Sequence, residues 1–376
     1  MKLNNRKISI NDLLNRNKLL TFLIHSLLLL FFSIVRLLCK LFTYNDGNVL
    51  VVSLHRLGDS VFTIPAIMEI YKQFGKKTHI LCFPESVPIY GLAFNDINIY
   101  ALKRDKFYFG GRIAKASAKR KLKSLNPSTI LDITGSMMSA SLIFNIRANR
   151  IIGTNGKQFR TIYDQFVEFR KEPQLVDIYL DAITPLIKIS DRTESKKQKE
   201  PSNPLGRILI HPFAGWKEKE WNLKSYITLA GRLNENYSVS LITQNNQLSA
   251  DVINEIDNLN IHLIRTNSVD ELIQSTKECS LFIGNDSGPV NIANFLGKPT
   301  FTIYGATNLD YTVAKTSHQV FTQRVLKCSA LQNEKFCIIG GEIYNCSGIQ
   351  CMNLLSVDEV YDNVTPLIKK YCNQKT

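Results

Sequence analysis

The sequence predicts an α/β protein of two doubly wound parallel-sheet domains facing a cleft, preceded by a hydrophobic N-terminal helix. Three observations carry this. Short, continuous apolar runs alternate with segments of helical periodicity, as expected of parallel strands buried on both faces. The alternation runs twice, on either side of a polar, Pro-containing stretch, "DRTESKKQKEPSNP" (191–204). A chain of 376 residues is also too long for one ordinary core. The predicted organisation is a membrane-associating segment (1–46), a first domain (47–190), a linker (191–204), a second domain (205–355) and a C-terminal helix (356–376).

Each element has its own signal. "NVLVVSL" is a buried strand, and "DSVFTIPAIMEIYKQFG" a helix stopped by Gly75. "THILCF" and "INIYALK" are strands, and "KRDKFYFGGRIAKASAKRKLKSLN" is a basic loop and helix. "STILDIT" is a strand, and "SMMSASLIFNIRANR" a helix leading into "IIGT". The second series opens with "RILIHPF", followed by the helix "LKSYITLAGRLNENY" and the strand "SVSLITQ". A helical pattern runs from Ser249 to Leu259, then come "IHLIR", "SVDELIQSTKEC", "SLFIGND", the helix "GPVNIANFLG" and the strand "PTFTIYG". "SVDEVYDNVTPLIKKYC" closes the chain as an amphipathic helix.

Composition narrows the function. At 44% hydrophobic and 21% charged the chain is globular, and its net charge of +14 calls for an anionic partner. Nucleic-acid motifs are missing, so the partner is an anionic membrane surface or a phosphorylated ligand, not a nucleic acid. Between Leu19 and Val35 there is no charge, and basic residues flank that stretch: Lys2, Arg6, Lys7, Arg16 and Lys18 before it, Arg36 and Lys40 after. It falls short of a comfortable span of ~20 residues, and no A-x-A-like cleavage site follows. The expectation is a helix lying in the interface or inserting shallowly, with a buried helix of the fold as the other reading. Of the cysteines, Cys39, Cys82, Cys279 and Cys372 read as small core residues. Cys328, Cys337, Cys346 and Cys351 cluster without a CxxC and read as reduced structural thiols, with a zinc site as the weaker reading; no metal or cofactor is assigned.

Three strand-to-helix corners carry unusual residues. In "RLGDSV", Gly58 permits a tight turn, and Asp59 reads either as the helix cap or as a general base facing the cleft. In "HPFAGWKEKEWNLKSY", Ala214 and Gly215 let backbone approach a ligand, while Lys217 and Lys219 are positioned to neutralise a diphosphate or to sit in solvent. In "FIGNDSGPVNIANFLGKP", Asp286, Ser287 and Gly288 precede a helix opening at Pro289, where free amides and the helix dipole favour an anion. Together the corners describe a cleft suited to moving a group from a diphosphate to a hydroxyl: a carboxylate takes the proton, lysines and amides take the leaving charge.

These residues resemble a known family. "VLVVSLHRLGDSVFTIPAI", "LDITGSMMSASLI", "ILIHPFAGWKEKEWNLKSYITLA" and "LFIGNDSGPVNIANFLGKPTFTIYGAT" are similar to the heptosyltransferases of glycosyltransferase family 9. The resemblance, from about Asn48 to Asn363, implies a GT-B fold and an inverting, metal-independent transfer from an ADP-heptose to lipopolysaccharide core or another lipid-linked glycan. It implies Asp59 as general base, with Lys219, Lys217, Asp286, Ser287, Gly288 and Asn291 at the donor. Two features depart from the pattern. Asn291 stands where the family usually has His, and Gln244 and Asn245 stand where an acidic residue commonly meets the ribose. For the acceptor, Arg56, Arg104 and Arg112 are candidates, with Lys103 and Lys106 beside them; the same basic stretch reads equally as a solvated face or a membrane patch. The implied location is the cytoplasmic face of the bacterial inner membrane. Two other readings share the scaffold: a sugar-nucleotide 2-epimerase, and a catalytically silent membrane-bound glycan-binding protein.

Overall fold

The computed structural model describes residues 18–41, 43, 47–108, 112–154, 157–168, 170, 174–192, 206–245, 247–313, 316–330, 334–337, 346 and 348–374. The predicted linker, 191–204, lies outside these apart from its first two residues. The first unit begins with α1 (Lys18–Lys40), β1 (Val49–Ser53), α2 (Leu57–Phe74), β2 (Thr78–Cys82), α3 (Val87–Ala93) and β3 (Asn98–Ala101). A small antiparallel hairpin, β4 (Phe107–Tyr108) and β5 (Ile113–Ala114), precedes α4 (Ala116–Ser124), β6 (Thr129–Asp132), α5 (Met137–Ile143), β7 (Arg150–Thr154), β8 (Gln165–Val167) and α6 (Leu175–Ala182). The second unit comprises β9 (Arg207–His211), α7 (Leu223–Asn234), β10 (Ser238–Gln244), α8 (Ala250–Asn258), β11 (His262–Thr266) and α9 (Val269–Lys277). It continues with β12 (Leu281–Asn285), α10 (Gly288–Phe295), β13 (Thr300–Tyr304), β14 (Gln319–Gln323), α11 (Gln350–Asn353) and α12 (Val357–Tyr371).

Each unit holds one six-stranded parallel sheet, in the orders β3-β2-β1-β6-β7-β8 and β11-β10-β9-β12-β13-β14. The two orders are the same doubly wound plan. In both sheets the strand order reverses beside the first strand, between β1 and β6 and between β9 and β12. The crevice outside the carboxyl ends of such a switch point is where ligands bind in open α/β sheets. The apolar runs behave as expected: every residue of β1, β12 and β13 is buried. α2 ends as the sequence predicts, with Gly75 as C-cap at φ +54°.

The two units share a core. α2 and α6 of the first pack in one apolar cluster with residues of β9, β10, α9 and α10 of the second, including Leu209, Ile242, Leu272 and Val290. The C-terminal helix is part of the second core: Val360, Val364, Leu367 and Ile368 bury against α7 and β14. Indole Nε1 of Trp221 donates to the Leu355 carbonyl at 3.0 Å just before that helix. Cys82, Cys279 and Cys372 are buried, and burial pushes their thiols up to about 12. Cys39 differs from the core role assigned to it, because it lies half-buried on α1. Among the described residues, no three His, Cys, Asp or Glu side chains converge as a metal site.

One buried carboxylate organises the back of the first sheet. Asp132, at the end of β6, accepts from Thr134 N and Gly135 N at 3.0 and 3.1 Å and from the Tyr163 hydroxyl at 2.8 Å. The Tyr163 ring lies directly on Gly153 of β7, where a Cβ would meet it at 2.0 Å. Burial outweighs these three donors and a fourth, the Ser139 side chain, and pushes Asp132 up to about 6. Because this value lies above the unfolded one, the group's stabilisation is complete below about 4 and is lost as pH rises through about 6. In urea titrations at pH 5 and 7.5, Asp132→Asn should abolish this share of the slope and be at least as stable as wild type at pH 7.5. Asp132→Ala, which leaves two amides and a phenol unpaired, should cost about 2–4 kcal/mol at both.

Candidate functional site

The first corner joins β1 to α2. The helix starts at Leu57 with Arg56 as N-cap and no side-chain cap, so Asp59 sits in the first turn and not at the cap position. The turn is closed from within, by Ser60 N and Oγ donating to the Arg56 carbonyl at 3.0 and 3.2 Å. The Asp59 carboxylate is thereby left to the cleft, with Lys335 Nζ 3.7 Å from its Oδ1. Beneath it the His55 ring stands edge-on to Tyr179, and its Nε2 meets the Ile133 carbonyl at 3.2 Å. Burial lowers the His55 pKa against the pull of Asp59.

The second corner follows β9. A single 3₁₀ turn spans Lys217–Lys219, and with three residues per turn its two lysines point in different directions. Lys217 is exposed and stands off the cleft; Lys219 turns inward. Lys219 Nζ lies 2.5 Å from Asp286 Oδ2, and it sits near the faces of Trp216 and Phe336, 5.0 and 5.1 Å from the ring centroids. His211, at the end of β9, lines the same cavity, and burial lowers its pKa to about 4 against backbone hydrogen bonds, which keeps the ring neutral.

The third corner, β12 to α10, is fixed by Asn285. Its Oδ1 accepts from Trp221 N and the Tyr226 hydroxyl at 3.0 and 2.9 Å, and its Nδ2 donates to the Pro212 carbonyl at 2.8 Å. This buried triad locks the second corner to the third. Asp286 then receives both Lys219 and the Thr307 hydroxyl, the latter at 2.5 Å. Ser287 is the N-cap of α10, yet its side chain caps nothing; its Oγ is buried and, among the described residues, has no hydrogen-bond partner. Gly288 meets the first unit: a Cβ on it would come 3.2 Å from Gly58 N, and a Cβ on Gly58 would come 3.1 Å from both Gly288 Cα and Asn291 Nδ2. Two helix N-termini therefore converge on one cavity of about 670 Å³.

That cavity brings together Arg56, Asp59, Lys219, Asp286, Ser287, Gly288 and Asn291. It leaves out Lys217, Arg104 and Arg112. Arg104 is held elsewhere, over the Phe83 ring at 3.8 Å and against Glu85 at 2.6 Å, and Arg112 is exposed beside the β4–β5 hairpin. Of the two amides expected at the donor end, Gln244 lines the cavity; Asn245 instead bonds to Asn267. Sequence reading missed His211, Gln247, Lys335 and Phe336. Lys335 and Phe336 arrive through a bridge between Thr307 and Phe336 and backbone bonds from Asn308 N and Cys337 N, long-range contacts with no local pattern. "IHPF" at a switch-point strand end was the signal available for His211.

A family model described as "Glycosyltransferase family 9 (heptosyltransferase)" matches residues 116–337. A curated relative, lipopolysaccharide heptosyltransferase 1 of Campylobacter coli, is 35% identical over 82 residues; that match spans 21% of this chain and 24%, about a quarter, of the relative. Among solved structures, the Escherichia coli heptosyltransferase WaaC with ADP-2-deoxy-2-fluoro heptose superposes with a TM-score of 0.61 at 15% identity, covering 85% of this chain and 99% of that one. A glycosyl transferase family 9 protein from Veillonella parvula gives 0.63 at 14%, covering 88% and 99%. E. coli ADP-heptose lps heptosyltransferase II gives 0.60 at 16%, covering 86% and 99%. At these identities the structures establish the shared fold.

The Lys219–Asp286 pair gives a test of the geometry. With Asp286 4% exposed, Lys219→Met strands a buried carboxylate and should cost about 3–5 kcal/mol. The double variant Lys219→Met/Asp286→Asn, in which the amide still accepts from Thr307, should recover most of that loss in chemical denaturation. Equal loss in the single and double variants would show that the pair is not coupled.

Proposed function

The chain belongs to glycosyltransferase family 9, and from that premise we propose that it moves a heptose, or a related sugar, from an ADP-sugar to a lipid-linked glycan. Lipopolysaccharide, at its core, is the favoured acceptor in this reading; the curated relative is named for lipopolysaccharide. The WaaC structure, which holds ADP-2-deoxy-2-fluoro heptose, supports an ADP-sugar as donor. The single observation that carries the reading is the buried Ser287 hydroxyl without a partner, at the point where the N-termini of α2 and α10 converge. A buried donor left unpaired costs about 1–3 kcal/mol; a phosphate oxygen there removes the cost and also meets free helix amides.

In this reading the diphosphate lies at the start of α10, against Ser287, the Gly288 backbone and the Asn291 amide. Lys219, held in place by Asp286, supplies a fixed positive charge in the same cavity. The nucleoside extends toward Gln244, Gln247 and Asn267, with Val269 and Leu272 as the apolar part of that wall. Asp59, across the cleft, accepts the proton of the acceptor hydroxyl as its oxygen bonds to the anomeric carbon. The bond from that carbon to the β-phosphate oxygen breaks on the opposite face, so configuration inverts. The helix amides and Lys219 stabilise the departing ADP, electrostatic work that removes several kcal/mol from such barriers when donors are preorganised. Arg56, beside Gly215 at the mouth, meets an anionic group of donor or acceptor. A lipid-linked acceptor sets the reaction at a membrane surface, the cytoplasmic face of the inner membrane in this reading.

Calorimetric titration should show selective binding of ADP-heptose and ADP over UDP and GDP, lost in Ser287→Trp, whose indole fills the site. Asp59→Asn should bind donor within about two-fold of wild type while transfer to core lipopolysaccharide falls by roughly 10²–10⁴. Preference for UDP or GDP would remove heptose from the reading, and turnover of the sugar nucleotide without acceptor would favour epimerisation. Binding to no nucleotide would leave a glycan-binding scaffold.

A further inference from the structure

α1 packs one face on the protein and leaves the other largely exposed among the described residues. On the inner face, Arg36 is buried: Nη2 donates to the Ala148 carbonyl at 2.8 Å, and the guanidinium pairs with Asp164. Lys40 adds a second bond to the same carboxylate, with Nζ 2.5 Å from Oδ1. Asp164 also accepts from Ile151 N at 2.7 Å, which ties the pair to strand β7. Arg36 and Lys40 hold Asp164 low, although burial opposes them. One turn before Arg36, Phe32 packs edge-on against Phe144, with centroids 5.7 Å apart.

The outer face is apolar over its whole described length. Leu23, Leu27, Leu30, Phe31, Ile34, Leu37, Leu38 and Leu41 are all at least half exposed. Their spacing places them in one stripe about a third of the helix circumference wide. No Asp or Glu occurs between Lys18 and Lys40. Single exposed leucines are ordinary, but an unbroken stripe of eight large side chains marks an interaction surface. No described helix is long and apolar enough to cross a membrane, and the Arg36 pin holds the helix flat on the domain.

The neighbouring charge says what covers the stripe. Phe144 also touches Phe31 of the stripe, and it carries Lys119 of α4, whose Nζ lies 4.2 Å from the ring centroid. From there α4 continues with exposed Arg120, Lys121 and Lys123. A leucine stripe bordered by a basic helix matches an acyl layer bordered by anionic headgroups. We infer that α1 is an in-plane membrane anchor, pinned by Arg36 and Asp164, that seats the first domain on an anionic lipid surface with α4 as its electrostatic flank.

The test is co-sedimentation of the full chain with vesicles of phosphatidylcholine alone or with 30% phosphatidylglycerol. Wild type should bind the anionic vesicles and bind neutral ones at least about ten-fold more weakly. Leu27→Glu/Leu37→Glu should lower vesicle affinity at least about ten-fold with an unchanged melting temperature, since both side chains are exposed. Arg120→Glu/Lys123→Glu should remove the preference for anionic lipid while leaving ADP binding intact, which separates this inference from the donor site. Wild type remaining in the supernatant with both vesicles would overturn it. So would a dimer in sedimentation equilibrium that the leucine variant dissociates, because the stripe would then be covered by a second copy of the chain.

Discussion

Two helices from different domains begin in van der Waals contact, and the cleft takes its form from that meeting. Gly58 and Gly288 are both N-terminal backbone positions, and a side chain on either would intrude on the other. Each helix start carries about half a unit of positive charge. Bringing two such ends together is unfavourable unless something negative lies between or beside them. The carboxylates present meet only part of this: Asp286 is taken by Lys219 and Thr307, and Asp59 stands near Lys335. The unmet remainder is an electrostatic demand for a bound anion, and the unpartnered Ser287 hydroxyl expresses the same demand at the level of one hydrogen bond.

The buried lysine–aspartate pair has a related logic. Taking two charges out of water costs several kcal/mol per ion, and attraction alone offsets this only when the remaining donors and acceptors are satisfied. Here Thr307 supplies Asp286 with a further donor, and the Trp216 and Phe336 rings present negative faces to the ammonium. The lysine is thereby held in one place, where a solvated one would sample many. Asn285, one residue earlier, does for the backbone what the pair does for the charge: three hydrogen bonds hold the loop after β9 and helix α7 against the end of β12.

Much of this was legible in the chain, and the limits have physical causes. Both switch-point strands are continuous apolar runs that end in Gly, Ser, Asp or Pro, so the corners at 53–60 and 281–291 could be located without coordinates. The role of Asp59 as a cap was not settled there, because cap and first-turn positions differ by a residue or two and the closing bonds come from Ser60 and backbone. Lys217 and Lys219 look alike in sequence; only the 3₁₀ turn separates them. Arg104 is lost to the site through Glu85 and Phe83, and Lys335 reaches it through the Thr307–Phe336 bridge, long-range events without periodicity. The strands β8 and β14, the short helix α6 and the β4–β5 hairpin escaped for the same reason. They are brief or half-exposed, and tertiary pairing makes them what they are.

The Arg36–Asp164 pin has a consequence for rotation. An anchor joined to its cargo by a loose tether fixes position and leaves the cargo free to tumble. Here the anchor's own side chain is bonded to the carbonyl of Ala148 and to Asp164, which in turn holds the start of β7, so helix and sheet turn as one body. Adsorption of such a body removes two of its three rotational freedoms. Any opening in the fold then keeps a constant tilt to the surface, and a substrate confined to that surface meets it from a fixed direction.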